Sequence, residues 1–188
     1  SNPILIVSGE PNSVFLELFF KVFNNNKIKN PIILISSKKL LDLQMKKLGF
    51  KNKIRLIDVS KLKFYKINNK TINLIDVKYN PDKAFEKISN KSNMFIKNSF
   101  ELAFKIIKKY KIIRFINGPI SKKYFLRKEF LGITEYISEK FLTKNTCMLI
   151  YNKKLSVCPI TTHLPLKLVS KKISKKNKIK KISLINNF

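Results

Sequence analysis

The chain has 188 residues and carries 40 Lys+Arg against 11 Asp+Glu, a formal net charge of +29, with 44% hydrophobic residues. That apolar share excludes a disordered chain and suits one domain, or two small ones, with a buried core. Lysines interrupt every apolar run before it could cross a bilayer, and two cysteines outside any CxxC pair, Cys147 and Cys158, exclude a disulfide framework or cysteine-rich zinc site and favour a reducing compartment.

Pro3–Ser8 is a short continuous apolar run, as expected of a buried strand. The start, Ser1-Asn2-Pro3-Ile4-Leu5, has neither a basic leader nor a small-residue cleavage site, which argues against a secretory signal. Gly9-Glu10-Pro11-Asn12 reads as a turn, and Ser13–Phe23 carries apolar residues at helical spacing. Ile32–Ile35 predicts a second buried strand. Lys38–Leu48 predicts an amphipathic helix with Gly49 in the stop position, and Ile54–Val59 a third strand. From Ser60 to Asn93 the Asn- and Lys-rich stretch predicts connections with one or two short strands. Ser99 then reads as the cap of a helix running to Lys109. Ile112–Ile116 reads as a strand ending in Asn117-Gly118-Pro119, and Ile133–Phe141 as a helix. Met148–Tyr151 and Leu155–Ile160 read as adjacent strands, and a helix begins at Pro165. Strands alternating with helices predict a mostly parallel α/β sheet covered by helices on both faces.

The charge has two readings. Lysine-driven phosphate binding would make this a basic nucleic-acid-binding protein. Against that, Lys, Asn, Ile and Phe abound while Gly, Ala, Asp and Glu are scarce, the profile of an AT-rich coding sequence. Only Arg55, Arg114 and Arg127 could make bidentate contacts, and Phe15, Phe19, Phe20 and Phe23 fall in a helical stripe suited to a core. No specific nucleic acid is therefore expected. The run Lys171–Lys181, seven lysines in eleven residues, reads as a solvated helix face or frayed end. The apolar stretch Ile182–Ile185 just before the last residue suggests a truncated chain.

Three segments stand where strands should end, the usual place of the ligand crevice in such sheets. They are Gly9-Glu10-Pro11-Asn12-Ser13; Asn117-Gly118-Pro119-Ile120-Ser121-Lys122, with Gly132-Ile133-Thr134-Glu135 soon after; and Thr161-Thr162-His163-Leu164-Pro165-Leu166. They hold three of the four glycines, which points to backbone needs such as positive φ or close approach. His163 is the only histidine. A lone histidine reads first as a cap or core residue; at a strand end before a helix-opening proline it also reads as a ligand, one that cannot hold a metal unaided.

In order and spacing these segments resemble the 4-hydroxythreonine-4-phosphate dehydrogenases of pyridoxal phosphate (vitamin B6) synthesis. Thr161–Leu166 is the most specific match. The resemblance implies an isocitrate/isopropylmalate dehydrogenase-like α/β fold of two lobes with a cleft, here truncated: 1–125 a first lobe and 126–188 the start of a second. It implies an NAD- or NADP-dependent, metal-dependent (Zn, Mg or Co) cytoplasmic oxidoreductase, a homodimer with a shared active site. The expected substrate is a small phosphorylated hydroxy-amino acid, oxidised to the 3-oxo acid and then decarboxylated. By the same resemblance His163 is a metal ligand, Thr134 binds substrate, Ile133 stands at the position of the family's substrate-binding histidine, and Lys122 is a candidate for the phosphate. No catalytic or nucleotide-binding residue is assigned.

Departures matter as much. Ile133 can neither hydrogen-bond nor carry charge, and Ser13-Val14-Phe15-Leu16 replaces the family's Gly-Ile-Gly-Pro, although Glu17 fits the acidic position that follows. With one histidine per chain, even a homodimer cannot assemble the family's three-histidine metal site. An inactive remnant of the family, or a dehydrogenase of phosphorylated threonate-like acids, therefore stays beside the first reading.

Overall fold

The computed structural model describes residues 2–25, 28–126, 129–143 and 146–186. The chain divides into two compact units, Ser1–Arg127 and Lys128–Phe188.

Unit 1 is built on five strands: β1 Ile4–Val7, β2 Ile32–Ser36, β3 Ile54–Leu56, β4 Ile72–Asp76 and β5 Arg114–Asn117. Their order is β3-β4-β2-β1-β5 and every pairing is parallel. Strands β1 and β2 are near-continuous apolar runs because both of their faces are covered. Right-handed crossovers explain the covering. Helices α1 (Phe15–Asn24) and α2 (Lys38–Leu48) follow strands stepping one way across the sheet and pack on each other. Helix α3 (Asn90–Tyr110) connects β4 to β5 in the opposite direction and so lies on the other face, against β1 and β2. The core includes Leu5, Val7, Phe20, Ile33, Leu34, Leu40, Phe95 and Phe100, all at most 1% exposed.

The α2 prediction matches residue for residue. Ser37 caps it by accepting from Leu40 N–H, and Gly49 closes it in the left-handed region at φ 77°. Three other expectations need correction. The third strand stops at Leu56, because the Asp58 carboxylate caps a 3-10 turn, Val59–Phe64. Strand β4 is a short strand of the kind expected within Ser60–Asn93. Helix α3 starts at Asn90, well before the expected cap: Ser89 and Ser92 form a reciprocal capping box, while Ser99 is buried in the helix and donates back to the Phe95 carbonyl at 2.8 Å. The two strands expected around Asn152–Lys154 reduce to a single antiparallel bridge, Ile150 to Val157.

Unit 2 contains α4 (Ile133–Lys140), α5 (Leu166–Lys172) and α6 (Lys175–Asn186). The lysine run falls on α5 and α6, which bury no residue, as expected of a solvated face. Among the described residues no helix is long and apolar enough to cross a membrane.

Candidate functional site

The carboxyl ends of β1 and β5 meet where the chain's steps across the sheet reverse direction, the position where such sheets form a crevice. The turns after these strands interlock. Gly118 N–H donates to the Val7 carbonyl at 2.7 Å, and Glu10 N–H to that of Pro119 at 2.8 Å. Gly9 sits at φ 71°, and a Cβ there would run into Pro119 O and stand 2.7 Å from Gly118 C. A Cβ on Gly118 would meet the Ser8 carbonyl. Both glycines are thus required by close backbone approach, and Gly9 by its φ as well.

A polar network that sequence reasoning missed lines these strand ends. Ser8 Oγ donates to Ser36 Oγ (2.9 Å), Ser37 Oγ to the Tyr79 carbonyl (2.7 Å), and Gln44 Nε2 to the carbonyls of Pro11 and Ala84 (2.9 and 2.8 Å). Glu10 is only 7% exposed, and neither carboxylate oxygen makes a hydrogen bond of ordinary geometry. Burial raises its pKa, against the weaker pull of the Asn12 amide and the Ser92 hydroxyl. Burial and the neighbouring carboxylates of Glu86 and Glu10 likewise push the Tyr79 phenol upward. The one sequence signal was the Gly-Glu-Pro turn, which does not reveal that the carboxylate points inward.

Lys122 is exposed, in the single turn after Pro119 that is held by Phe125 N–H to the Ser121 carbonyl (2.8 Å). Two shallow clefts of about 390 and 430 Å³ lie at the opposite, amino ends of the strands, around Pro31, and contain none of the expected site residues.

The other three expected residues come together in unit 2. Gly132 precedes α4 in extended conformation and gives it no side-chain cap. The amide groups of the first turn, where Ile133 and Thr134 sit half-buried, therefore lack a capping partner. His163, exposed and at φ 56°, lies alongside: a Cβ on Gly132 would stand 3.7 Å from its Nε2. Glu135 folds back over the same glycine, its Oε2 2.9 Å from that Cβ position, buried and without a hydrogen bond. An uncapped helix start carries partial positive charge and donates to anions, so this corner pairs anion-binding amides with an imidazole. Glu135 is the resident anion there, a feature that only the geometry reveals.

As a metal centre the donor set falls short. Among the described residues no group of three or more His, Cys, Asp or Glu side chains converges, so these residues do not fit a complete site, and His163 can offer one ligand at most.

The Pyridoxal phosphate biosynthetic protein PdxA family model matches residues 27–188. The 4-hydroxythreonine-4-phosphate dehydrogenase of Sulfurihydrogenibium sp. (strain YO3AOP1) is 31% identical over 190 residues, covering 97% of this chain and 56% of that protein. The enzyme of the same name from Aquifex aeolicus (strain VF5) is 37% identical over 70 residues, 36% of this chain and 22% of its own length. A crystal structure of a 4-hydroxythreonine-4-phosphate dehydrogenase from Burkholderia phymatum matches with TM-score 0.82 at 22% identity, over 97% of this chain and 56% of that one. A putative one from Salmonella typhimurium matches with TM-score 0.84 at 18% identity, over 100% and 59%. These two structures establish the shared α/β fold, and the chain spans little more than half the length of the proteins it matches across its whole extent. With the family model matched over most of its residues, the chain belongs to the PdxA family.

Proposed function

We propose that this chain supplies the substrate-capturing part of a 4-hydroxythreonine-4-phosphate dehydrogenase. The observation that carries the reading is the uncapped start of α4, with Thr134 in its first turn and His163 beside it. In the dehydrogenase reaction a substrate hydroxyl becomes a carbonyl, the hydride passes to NAD or NADP, and the 3-oxo acid loses carbon dioxide. The residues of this chain bind and orient. The α4 amides and the Thr134 hydroxyl hold the phosphorylated hydroxy-amino acid. His163 offers one ligand to a divalent metal whose other ligands lie outside this chain. A homodimer would bring only two imidazoles, so a three-histidine set needs further polypeptide. The lobe division at about residue 125, the dimer and a cytoplasmic location belong to the same reading, supported by membership of a biosynthetic family.

Ile133 favours a second reading, a folded relative that no longer turns over, because it replaces a polar contact with a hydrocarbon at the centre of the corner. Calorimetric titration of the chain with 4-phosphooxy-threonine, with and without zinc, separates the two. The first reading expects saturable binding. Thr134→Val should weaken it about tenfold, since a hydrogen bond to a charged group contributes about 1.5 kcal/mol. It also expects zinc binding that disappears in His163→Ala. Absence of both responses establishes the second reading.

A further inference from the structure

The turn after β5 carries a reactive step that the capture site does not use. Asn117-Gly118 is the only Asn-Gly pair in the chain. With no Cβ on the residue that follows, a backbone nitrogen can approach an asparagine side chain closely. Glycine is not optional here, because a Cβ on Gly118 would collide with the Ser8 carbonyl. The fold therefore imposes the labile pair, and the same packing ties up both of its reacting groups. Gly118 N–H donates to the Val7 carbonyl at 2.7 Å. Asn117 is half-buried, ends β5 in register with Val7, and its Nδ2 donates to the Gly118 carbonyl at 3.0 Å. Gly118 is buried, and Glu10 N–H fastens the Pro119 carbonyl from the facing turn at 2.8 Å.

We propose that Asn117 is a latent deamidation site, gated by the interlock of the turns after β1 and β5. When the interlock opens, the Gly118 nitrogen loses its proton and attacks the Asn117 side-chain carbonyl carbon. A C–N bond forms, the bond from that carbon to Nδ2 breaks, and Nδ2 leaves as ammonia with the proton. The cyclic imide left behind is opened by water, the only other reactant, and nothing is oxidised or reduced. Water entering at the side-chain carbonyl gives aspartate, which puts a carboxylate at the strand end. Water entering at the main-chain carbonyl gives isoaspartate, which routes the chain through an extra methylene. Gly118 N–H then no longer stands in register with Val7, so the turn cannot close as before, and each modified molecule records an opening.

The test incubates the full chain at mildly alkaline pH, natively and in urea, and follows Asn117 by peptide mapping that separates its asparagine, aspartate and isoaspartate forms. In urea Asn117 should react first among the asparagines of the chain. Natively it should react more slowly by about tenfold or more, a factor equal to about 1.4 kcal/mol of opening. Hydrogen exchange of the Gly118 amide, measured at the same pH, should be slowed by the same factor, since both reactions need that amide released. Folded Gly9→Ala, which crowds the facing turn, should deamidate faster than Gly49→Ala, which does not. Coinciding native and urea rates, another asparagine reacting ahead of Asn117 in urea, a different protection factor at Gly118, or equal rates in the two glycine variants would each overturn the proposal. The first three readouts use the unaltered chain and stand even where Gly9→Ala does not fold.

Discussion

Gly9 and Gly49 form an internal control for what the first candidate segment requires. Both lie in the left-handed region, at φ 71° and 77°. A Cβ on Gly49 meets nothing within 4 Å, whereas a Cβ on Gly9 drives into the backbone of Pro119 and Gly118. Alanine at either position pays the left-handed penalty, about 1 kcal/mol. Only at Gly9 must backbone also move, which adds the cost of overpacking, about 1–3 kcal/mol. Gly49→Ala should therefore cost about 1 kcal/mol and Gly9→Ala about 2–4 kcal/mol. At about 2–4 °C per kcal/mol for a chain of this size, the melting temperature falls by about 2–4 °C and about 4–16 °C respectively. Far-ultraviolet circular dichroism can follow this, since the whole sheet lies in unit 1. Equal losses in the two variants would refute the argument that the turns after β1 and β5 interlock.

Two further side chains give predictions of different kinds. Ser37 accepts from Leu40 N–H at 3.3 Å and donates to the Tyr79 carbonyl at 2.7 Å while 2% exposed. Ser37→Ala removes a cap and strands a buried carbonyl, so urea unfolding should show a loss of about 2–3 kcal/mol with unchanged slope. Glu10 has its folded-state pKa raised above the ordinary 4.5. The native state therefore holds a proton that the unfolded chain releases, and stability falls as pH rises from 4.5 towards the folded value. Glu10→Gln should flatten that limb of the pH–stability curve and leave the acid side unchanged; parallel curves for the two proteins would remove burial as the cause. At the capture corner, Glu135→Gln removes the resident negative charge beside the α4 amides, so calorimetry should find the phosphorylated ligand bound more tightly, and weaker binding would place the ligand elsewhere.

What the residues reveal in advance depends on how local their signals are. Helix α2 is legible because three features agree: an apolar stripe, a serine before it and a glycine after it. The start of α3 is not. Its capping box uses serine at the third helical position instead of the common Glu or Gln, and Asn90, Lys91 and Asn93 offer little apolar stripe. The strand expected over Ile54–Val59 forms but stops at Leu56 because Asp58 caps a turn, a competition between local hydrogen bonds and ladder pairing that apolar content does not register. At the candidate site, motif order points to Thr134 and His163, but not to the side chains around them. The tuck of Glu135 and the burial of Glu10 depend on space left by glycines and on contacts from distant segments, which no spacing rule encodes.

The two units differ in what holds them together, and the candidate capture site sits in the weaker one. Tyr136 is the only buried hydrophobic side chain of Lys128–Phe188 among the described residues, while Leu131, Leu142 and Leu166 are 63, 90 and 88% exposed. A segment this short, with so little apolar surface removed from water, gains little against the entropy of ordering its backbone. Unit 1 buries both faces of a five-stranded sheet. Local opening should therefore begin in unit 2, where lysines on α5 and α6 are open to trypsin. Limited proteolysis should remove residues after about Arg127 first and leave a resistant fragment carrying the whole sheet. Amide exchange in α4 should run well ahead of that in β1 and β2. The phosphorylated ligand should slow both α4 exchange and cleavage, because a ligand that binds only the folded corner stabilises it by mass action. If unit 2 resists trypsin as long as the sheet does without ligand, its stability has a source other than its own core.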